Sequence, residues 1–169
     1  MNIRAIPLSR QEIRKLTILL RKSFGLEKQL YFPVVKFIEW VLGDPRNDFD
    51  YIIVSEDEMQ DTYGTTNTIN NIIKIREDVY NGACQGIPRH RFTLCHELGH
   101  FILHQPKYVS HARGNIPIYC QPEWQANTFA AELMAPFDLV KNMTAGEISE
   151  NCGISKEAAE IQFKNYHNI

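Results

Sequence analysis

Residues 89–104 read RHRFTLCHELGHFILH and contain the pentapeptide His96-Glu97-Leu98-Gly99-His100. Apolar side chains recur at helical spacing along this stretch, which predicts a buried central helix over residues 89–104. On such a helix His96 and His100 lie one turn apart on one face, where both can bind the same zinc ion. Glu97 lies on the flank of that face, where it can take a proton from a water molecule on the ion.

The composition is typical of one soluble globular domain. The chain has 169 residues, of which 44% are hydrophobic and 22% charged, and we expect a single domain over residues 1–169. A formal net charge of −2 argues against a protein that coats nucleic acid or one that binds membranes through a polybasic surface. No apolar run approaches the roughly 18 residues that a bilayer span needs. Because the start of the chain lacks the apolar core of a signal peptide and the four cysteines form no C-x-x-C motif, we expect a cytoplasmic protein with reduced thiols.

Local signals predict the elements that precede the central helix. Residues 9–12 form a capping box, Ser-Arg-Gln-Glu, which predicts a helix that ends at Gly25. Pro33 predicts the start of a second helix, which Gly43 ends. β-branched and aromatic residues predict a short strand at residues 51–55, and the alternation of Ile69, Ile73 and Ile75 predicts another. Residues 63–67, between the two strands, are predicted to be a turn.

The elements after the central helix are also marked by turn and cap residues. Residues 105–121 are predicted to be irregular, with a candidate edge strand at residues 116–120. Pro122 opens a helix over residues 123–135 that Pro136 halts. Thr144 begins a second capping box, and a final helix is predicted from Ser155.

A catalytic zinc site usually has three protein ligands, so the two histidines need a third. The metzincin extension of the motif would place Gly at position 103 and His at position 106, but the chain has Leu103 and Pro106. Glu123, in the first turn of the next helix, is the best candidate for the third ligand. Asn127 lies on the same face, where it could orient a ligand.

Other roles remain open for these residues. The histidines could be ordinary helix residues satisfied by hydrogen bonds, and Glu123 could be a solvated carboxylate favoured by the helix dipole. Glu132 is a reserve candidate for the third ligand, although helical spacing places it on a different face. His104 continues the histidine row but lies about 12 Å along the axis from His96, which favours a core or supporting role.

Two blocks of the sequence resemble the ImmA/IrrE family of zinc metallopeptidases, RFTLCHELGHFILH at residues 91–104 and EWQANTFAAELMAP at residues 123–136. Segments at residues 67–69, 75–80 and 153–155 also fit the family pattern, so the resemblance covers roughly residues 50–165. It implies an α+β fold, a minimal zincin-like domain in which a small mixed or antiparallel sheet packs on the H-E-x-x-H helix. The zincin core would occupy residues 50–136, between a helical N-terminal extension (1–49) and a helical C-terminal tail (137–169).

The resemblance implies His96, His100 and Glu123 as ligands of one Zn²⁺ ion and Glu97 as the catalytic residue of peptide-bond hydrolysis. Glu97 would take a proton from water and later deliver it to the leaving amine. Typical substrates of the family are helix-turn-helix repressors of phage, mobile-element or stress-response circuits. We therefore expect such a repressor, or an antitoxin-like partner, as the protein substrate, with no membrane involved. Gln125 departs from the pattern, because some members have an acid at this position.

Two further functions stay open. The tail over residues 144–166 resembles a helix-turn-helix, but from Thr144 onward there are two Lys against four Glu, so direct binding to nucleic acid is not expected. A zinc-binding regulator or toxin component that acts by protein binding would carry the same motif without a useful peptidase rate. A peptidase also needs a donor to the developing oxyanion. The unranked candidates for this donor are Tyr80, His111 and Tyr119.

Overall fold

The computed structural model describes residues 2–168, which form an α+β fold with two small sheets. The helices are α1 (Arg10–Ser23), α2 (Val34–Val41), α3 (Glu56–Met59), α4 (Glu77–Cys84), α5 (Pro88–Leu103), α6 (Pro122–Met134), α7 (Phe137–Val140), α8 (Ala145–Cys152) and α9 (Lys156–His167). The strands are β1 (Asn2–Ala5), β2 (Asp50–Val54), β3 (Gly64–Asn67), β4 (Ile72–Arg76) and β5 (Val109–Ala112). None of the helices within residues 2–168 combines the length and the apolar character that crossing a membrane requires.

Helix α1 begins at the predicted capping box. The Ser9 hydroxyl accepts a hydrogen bond from the Glu12 backbone N–H at 3.2 Å, and the Glu12 carboxylate accepts one from the Ser9 backbone N–H at 2.7 Å. The same reciprocal pair joins Thr144 and Glu147 at the start of α8. Both predicted helix starts are confirmed, because a cap depends on neighbours only three residues away.

The predicted turn at residues 63–67 is wrong, since most of this segment forms β3. β3 pairs antiparallel with β4, which also pairs in parallel with β2. The turn follows at residues 68–71, where Asn67 Oδ1 accepts hydrogen bonds from the N–H groups of Ile69 and Asn70 at 3.0 Å. Ile69 is therefore outside the strand that it was predicted to begin. The strand pairing, and not the turn-prone local sequence, decides the conformation of residues 64–67.

A second sheet joins the start of the chain to the segment after α5. β1 pairs antiparallel with β5, so the N-terminal extension contains a strand as well as α1 and α2. The candidate edge strand at residues 116–120 is also wrong, because Ile118–Cys120 form a 3₁₀ turn and the strand of this region is β5. The two partner strands are far apart in sequence, and no local pattern reveals their pairing.

Helix α5 is the buried centre of the fold, as its apolar surface predicted. It packs against α6 on one side and contacts the sheet through β3 and β4. Gly99 lies at the α5–α6 contact, where a Cβ atom would be 3.1 Å from Phe129 Cδ1 and 3.2 Å from Ala126 Cα. This close approach lets the first turn of α6 reach the histidine-bearing face of α5.

Candidate metal centre

Helices α5 and α6 bring together three side chains that could hold a metal ion. The Nε2 atoms of His96 and His100 are 3.0 Å apart. Glu123 Oε2 lies 3.4 Å from His96 Nε2, and Glu123 Oε1 lies 3.2 Å from His100 Nε2. One ligand atom from each residue can be chosen so that all lie within 4.8 Å of one another. The structure thus gathers at one point the three ligands that the sequence predicted.

The spacing and chemistry of these atoms suit a small tetrahedral ion. Two ligand atoms that are each about 2.0–2.1 Å from zinc at tetrahedral angles lie about 3.3 Å apart, close to the three separations above. Burial, followed by the effect of the His96 and His104 imidazoles, lowers the pKa of His100 to about 3. His100 is therefore uncharged at neutral pH and offers a lone pair to a metal. Its contact with Glu123 is therefore not an ion pair at neutral pH.

Asn127 holds the His96 ring from the outer side. Its side-chain oxygen Oδ1 lies 2.9 Å from His96 Nδ1. With the amide oxygen on this side, His96 Nδ1 is the donor, and this tautomer leaves the lone pair of Nε2 free to bind a metal. Asn127 is one turn after Glu123 on α6, as the sequence pattern indicated. Helix α6 thus supplies both the candidate ligand Glu123 and the residue that contacts His96.

The side chain of Glu97, a residue of α5, points towards β3. The residue is only 6% exposed, and its Oε2 accepts a hydrogen bond from the Thr66 hydroxyl at 2.7 Å. Gly64 leaves the room that the side chain needs, because a Cβ atom there would lie 2.8 Å from Glu97 Cγ and 3.0 Å from Oε1. Burial raises the pKa of Glu97, while the Thr66 hydrogen bond opposes this shift. A carboxylate with a raised pKa is suited to accept and return a proton near neutral pH.

A cleft of about 650 Å³ opens beside His96, His100 and Glu123, which are called the triad below. Its wall on the α5–α6 side includes His100 and Glu123, and Thr66 of β3 faces it. Asn2 and Ile3 of β1 and the loop at residues 114–116 complete the rim. This volume lies within the range of ligand-binding pockets, so a substrate in the cleft would lie beside the proposed ligands.

Glu132 is engaged elsewhere and is not part of this centre. Its side chain is fully buried, and its two carboxylate oxygens lie 2.9 Å from Arg10 Nη1 and 2.9 Å from Arg14 Nε of helix α1. The Tyr166 hydroxyl of α9 also donates to it at 3.0 Å. Glu132 therefore joins α6 to the first and last helices of the fold.

None of the three oxyanion candidates lines the cleft. Tyr80 donates its hydroxyl to Glu39 of α2, and Tyr119 and His111 are not among the residues that line the cleft. The sequence reasoning also missed Gly64 and Thr66, because their segment was predicted to be a turn. The available signal was a pair of adjacent β-branched threonines, which is typical of a short strand.

A protein-family model, described as Peptidase_M78, IrrE N-terminal-like domain, matches residues 55–164. The match contains β3, β4, α5 and α6, and therefore every side chain of the triad together with Glu97 and its support. No curated protein and no solved structure matched the chain.

Proposed function

Because the chain belongs to the Peptidase_M78 family of IrrE N-terminal-like domains, a family of metallopeptidases, we propose that it is a zinc-dependent endopeptidase. The observation that carries this proposal is the convergence of His96, His100 and Glu123 beside the buried carboxylate of Glu97. Two imidazoles and one carboxylate are a ligand set of hydrolytic zinc enzymes. The other elements of the site support the same chemistry.

Glu97 is the proposed general base and acid of the reaction. A zinc ion held by the triad would lower the pKa of a bound water and polarise the scissile carbonyl. Glu97 accepts a proton from the attacking water and later donates it to the leaving amine. Thr66 holds Oε2 of this carboxylate at 2.7 Å, so the proton acceptor is already oriented before the substrate arrives.

We further propose that the substrate is a cytoplasmic regulatory protein, either a helix-turn-helix repressor or an antitoxin-like partner. The resemblance of residues 91–104 and 123–136 to the ImmA/IrrE family supports this class of substrate. The cleft of about 650 Å³ beside the triad leaves room for a bound segment of substrate. An extended segment of the repressor would cross the cleft beside Glu123.

The test compares the wild-type protein with Glu97→Gln, which keeps the shape of the side chain and removes its basicity. Purified helix-turn-helix repressors are tested as substrates, and mass spectrometry identifies the products. We expect one bound zinc ion per chain in both proteins. Only the wild type is expected to cleave, with a rate at least about 10²-fold above that of the variant.

The matched control is Glu157→Gln, the same exchange at an exposed glutamate in the first turn of α9. This variant should cleave like the wild type. Cleavage by Glu97→Gln at the wild-type rate would refute the proposed role of Glu97. Zinc binding by the wild type without any cleavage would favour a metal-binding regulator over a peptidase.

A further inference from the structure

The Gln125 side chain is held in one orientation by two backbone carbonyls. It is fully buried, and its amide nitrogen Nε2 donates to Ile6 O at 2.8 Å and to Tyr119 O at 2.7 Å. These two bonds use both protons of the amide. A flipped amide would point its oxygen at both carbonyl oxygens, so Oε1 must face the other way, towards His104.

The orientation of Gln125 decides which nitrogen of His104 carries the proton. Gln125 Oε1 lies 3.0 Å from His104 Nε2, and an amide oxygen can only accept, so His104 Nε2 is the donor. His104 is 6% exposed, and burial favours the uncharged ring. An uncharged ring with its proton on Nε2 has a bare Nδ1.

The bare nitrogen of His104 in turn decides the state of His100. The Nδ1 atoms of His104 and His100 are 2.9 Å apart, and only one of them can be the acceptor. Because His104 Nδ1 is bare, His100 Nδ1 carries the proton and donates it. His100 Nε2 is then left with its lone pair, and this atom is the one that faces His96 and Glu123.

We propose that Gln125 and His104 are positioning residues that fix His100 in the tautomer whose Nε2 can bind a metal ion. The proposal rests on the proposed function, in that it takes the triad to be the metal centre. A carboxylate at position 125 could accept from His104 but could not donate to two carbonyls. The amide does both, and so links the ligand to the backbone at Ile6 and Tyr119.

The contacts from Ile6 and Tyr119 through Gln125 and His104 to His100, here called the relay, connect the start of the chain to the proposed metal centre. Ile6 follows β1 directly, and its N–H donates to Tyr108 O at 2.9 Å, continuing the contact with the segment that holds β5. If this segment detached, Gln125 would lose one of the two carbonyls that orient it. The tautomer of His100 therefore depends on residues at the start of the chain.

The first experiment measures the tautomers directly in the metal-free wild-type protein. Long-range ¹H–¹⁵N correlation spectra of the ¹⁵N-histidine-labelled protein distinguish protonated from bare ring nitrogens. We expect the proton on Nε2 of His104 and on Nδ1 of both His100 and His96. A His104 ring with its proton on Nδ1 would overturn the proposal, and this readout needs neither bound metal nor activity.

The second experiment measures zinc affinity by competition with a chelator. Gln125→Leu and His104→Phe each break the relay, and we expect the Kd for zinc to rise about 10- to 100-fold, as for other groups that orient a metal ligand. The matched control is His111→Phe, the same ring exchange at an exposed position of β5, which should leave the Kd unchanged.

The outcomes separate the relay from the metal centre itself. A wild-type protein that binds no zinc would refute the proposed function, whereas the tautomers of the metal-free protein would still test the relay. Wild-type affinity in Gln125→Leu, with His100 still protonated on Nδ1, would overturn the relay and leave the metal centre intact. A purely structural role for Gln125 would lower the unfolding temperature without changing the tautomer of His100 in the folded protein.

Discussion

The Thr66 hydroxyl lies 2.7 Å from Glu97 Oε2 and 3.1 Å from the Glu97 backbone oxygen. One strand residue therefore contacts both the side chain and the backbone of the proposed catalytic glutamate. A hydroxyl has a single proton and can donate fully to only one of these two atoms. The carboxylate is the closer acceptor and carries the charge, so it receives the stronger bond. β3 thus acts as a support for the proton acceptor on α5.

Thr66→Val should separate the orientation of Glu97 from metal binding. The exchange keeps the branched shape and removes the hydrogen bond that lowers the pKa of Glu97. Loss of this bond raises that pKa further, so the acid limb of the kcat–pH profile should move to higher pH. We expect kcat to fall by roughly tenfold, less than the 10²–10⁴ that a general base contributes, with zinc content unchanged. Thr66→Ser keeps the hydroxyl and should retain the wild-type profile; an unmoved acid limb in Thr66→Val would contradict this role.

Gly64→Ala should displace the same side chain by steric contact. The new methyl group would lie 2.8 Å from Glu97 Cγ, closer than packed atoms allow, so the carboxylate must shift. A displacement of about 1 Å in a reacting group can cost roughly 10²-fold in rate. We expect cleavage to fall by that order while zinc binding persists. Gly146→Ala is the control, because its nearest neighbour would be 3.9 Å away, and equal loss of activity in both variants would count against the steric explanation.

Glu132→Gln should destabilise the fold without changing the metal centre. The variant leaves Arg10 and Arg14 facing a neutral amide in a site where the glutamate is fully buried. We expect the free energy of unfolding to fall by about 3 kcal/mol, the lower part of the range for a broken buried ion pair, since both arginines are partly exposed. Chemical denaturation measures this change. Asp44→Asn removes an exposed pair with Arg46 and should have a much smaller effect, and a similar loss in both variants would disprove the role of the buried cluster.

The metal-free protein should lose stability in mild acid because of His100. Its pKa is about 3 in the folded protein, below the ordinary value of 6.5, so between these values the unfolded chain binds a proton that the folded chain does not. The free energy of unfolding therefore decreases as pH falls from about 6.5 towards 3, by at most about 1.4 kcal/mol per pH unit for this group. Glu97 has a raised pKa and shifts stability in the opposite direction. The difference between the wild type and His100→Leu isolates the contribution of the histidine, and parallel denaturation curves from pH 7.5 to 5 would refute it.

Local sequence signals were sufficient for the starts of α1, α6 and α8. The capping boxes at Ser9 and Thr144 and the proline at the start of α6 act within one helical turn. The spacing of His96 and His100 places them on one face whatever surrounds the helix. Glu123 was found because its helix position and the family pattern agreed, and the structure places its carboxylate beside both imidazoles.

The supporting residues could not be predicted in the same way, because they act through distant contacts. Thr66 reaches Glu97 only because β3 pairs with β4 and packs on α5. In the sequence, Gln125 was notable only because some members of the family have an acidic residue at this position. Its function depends on the carbonyls of Ile6 and Tyr119, which belong to two separate segments of the chain.

Gly99 sets how closely α5 and α6 pack, and therefore how far Glu123 lies from the imidazoles of His96 and His100. A methyl group at this position would meet Phe129 and Ala126 at 3.1 and 3.2 Å, and α6 would have to yield by a few tenths of an ångström. Glu123 lies on α6 and would retreat from both imidazoles by a similar amount. The proposed zinc site needs ligands at about 2.0–2.2 Å, whereas a calcium site needs 2.3–2.6 Å. Gly99, which itself binds no metal, therefore sets a ligand separation on which the proposed zinc site depends.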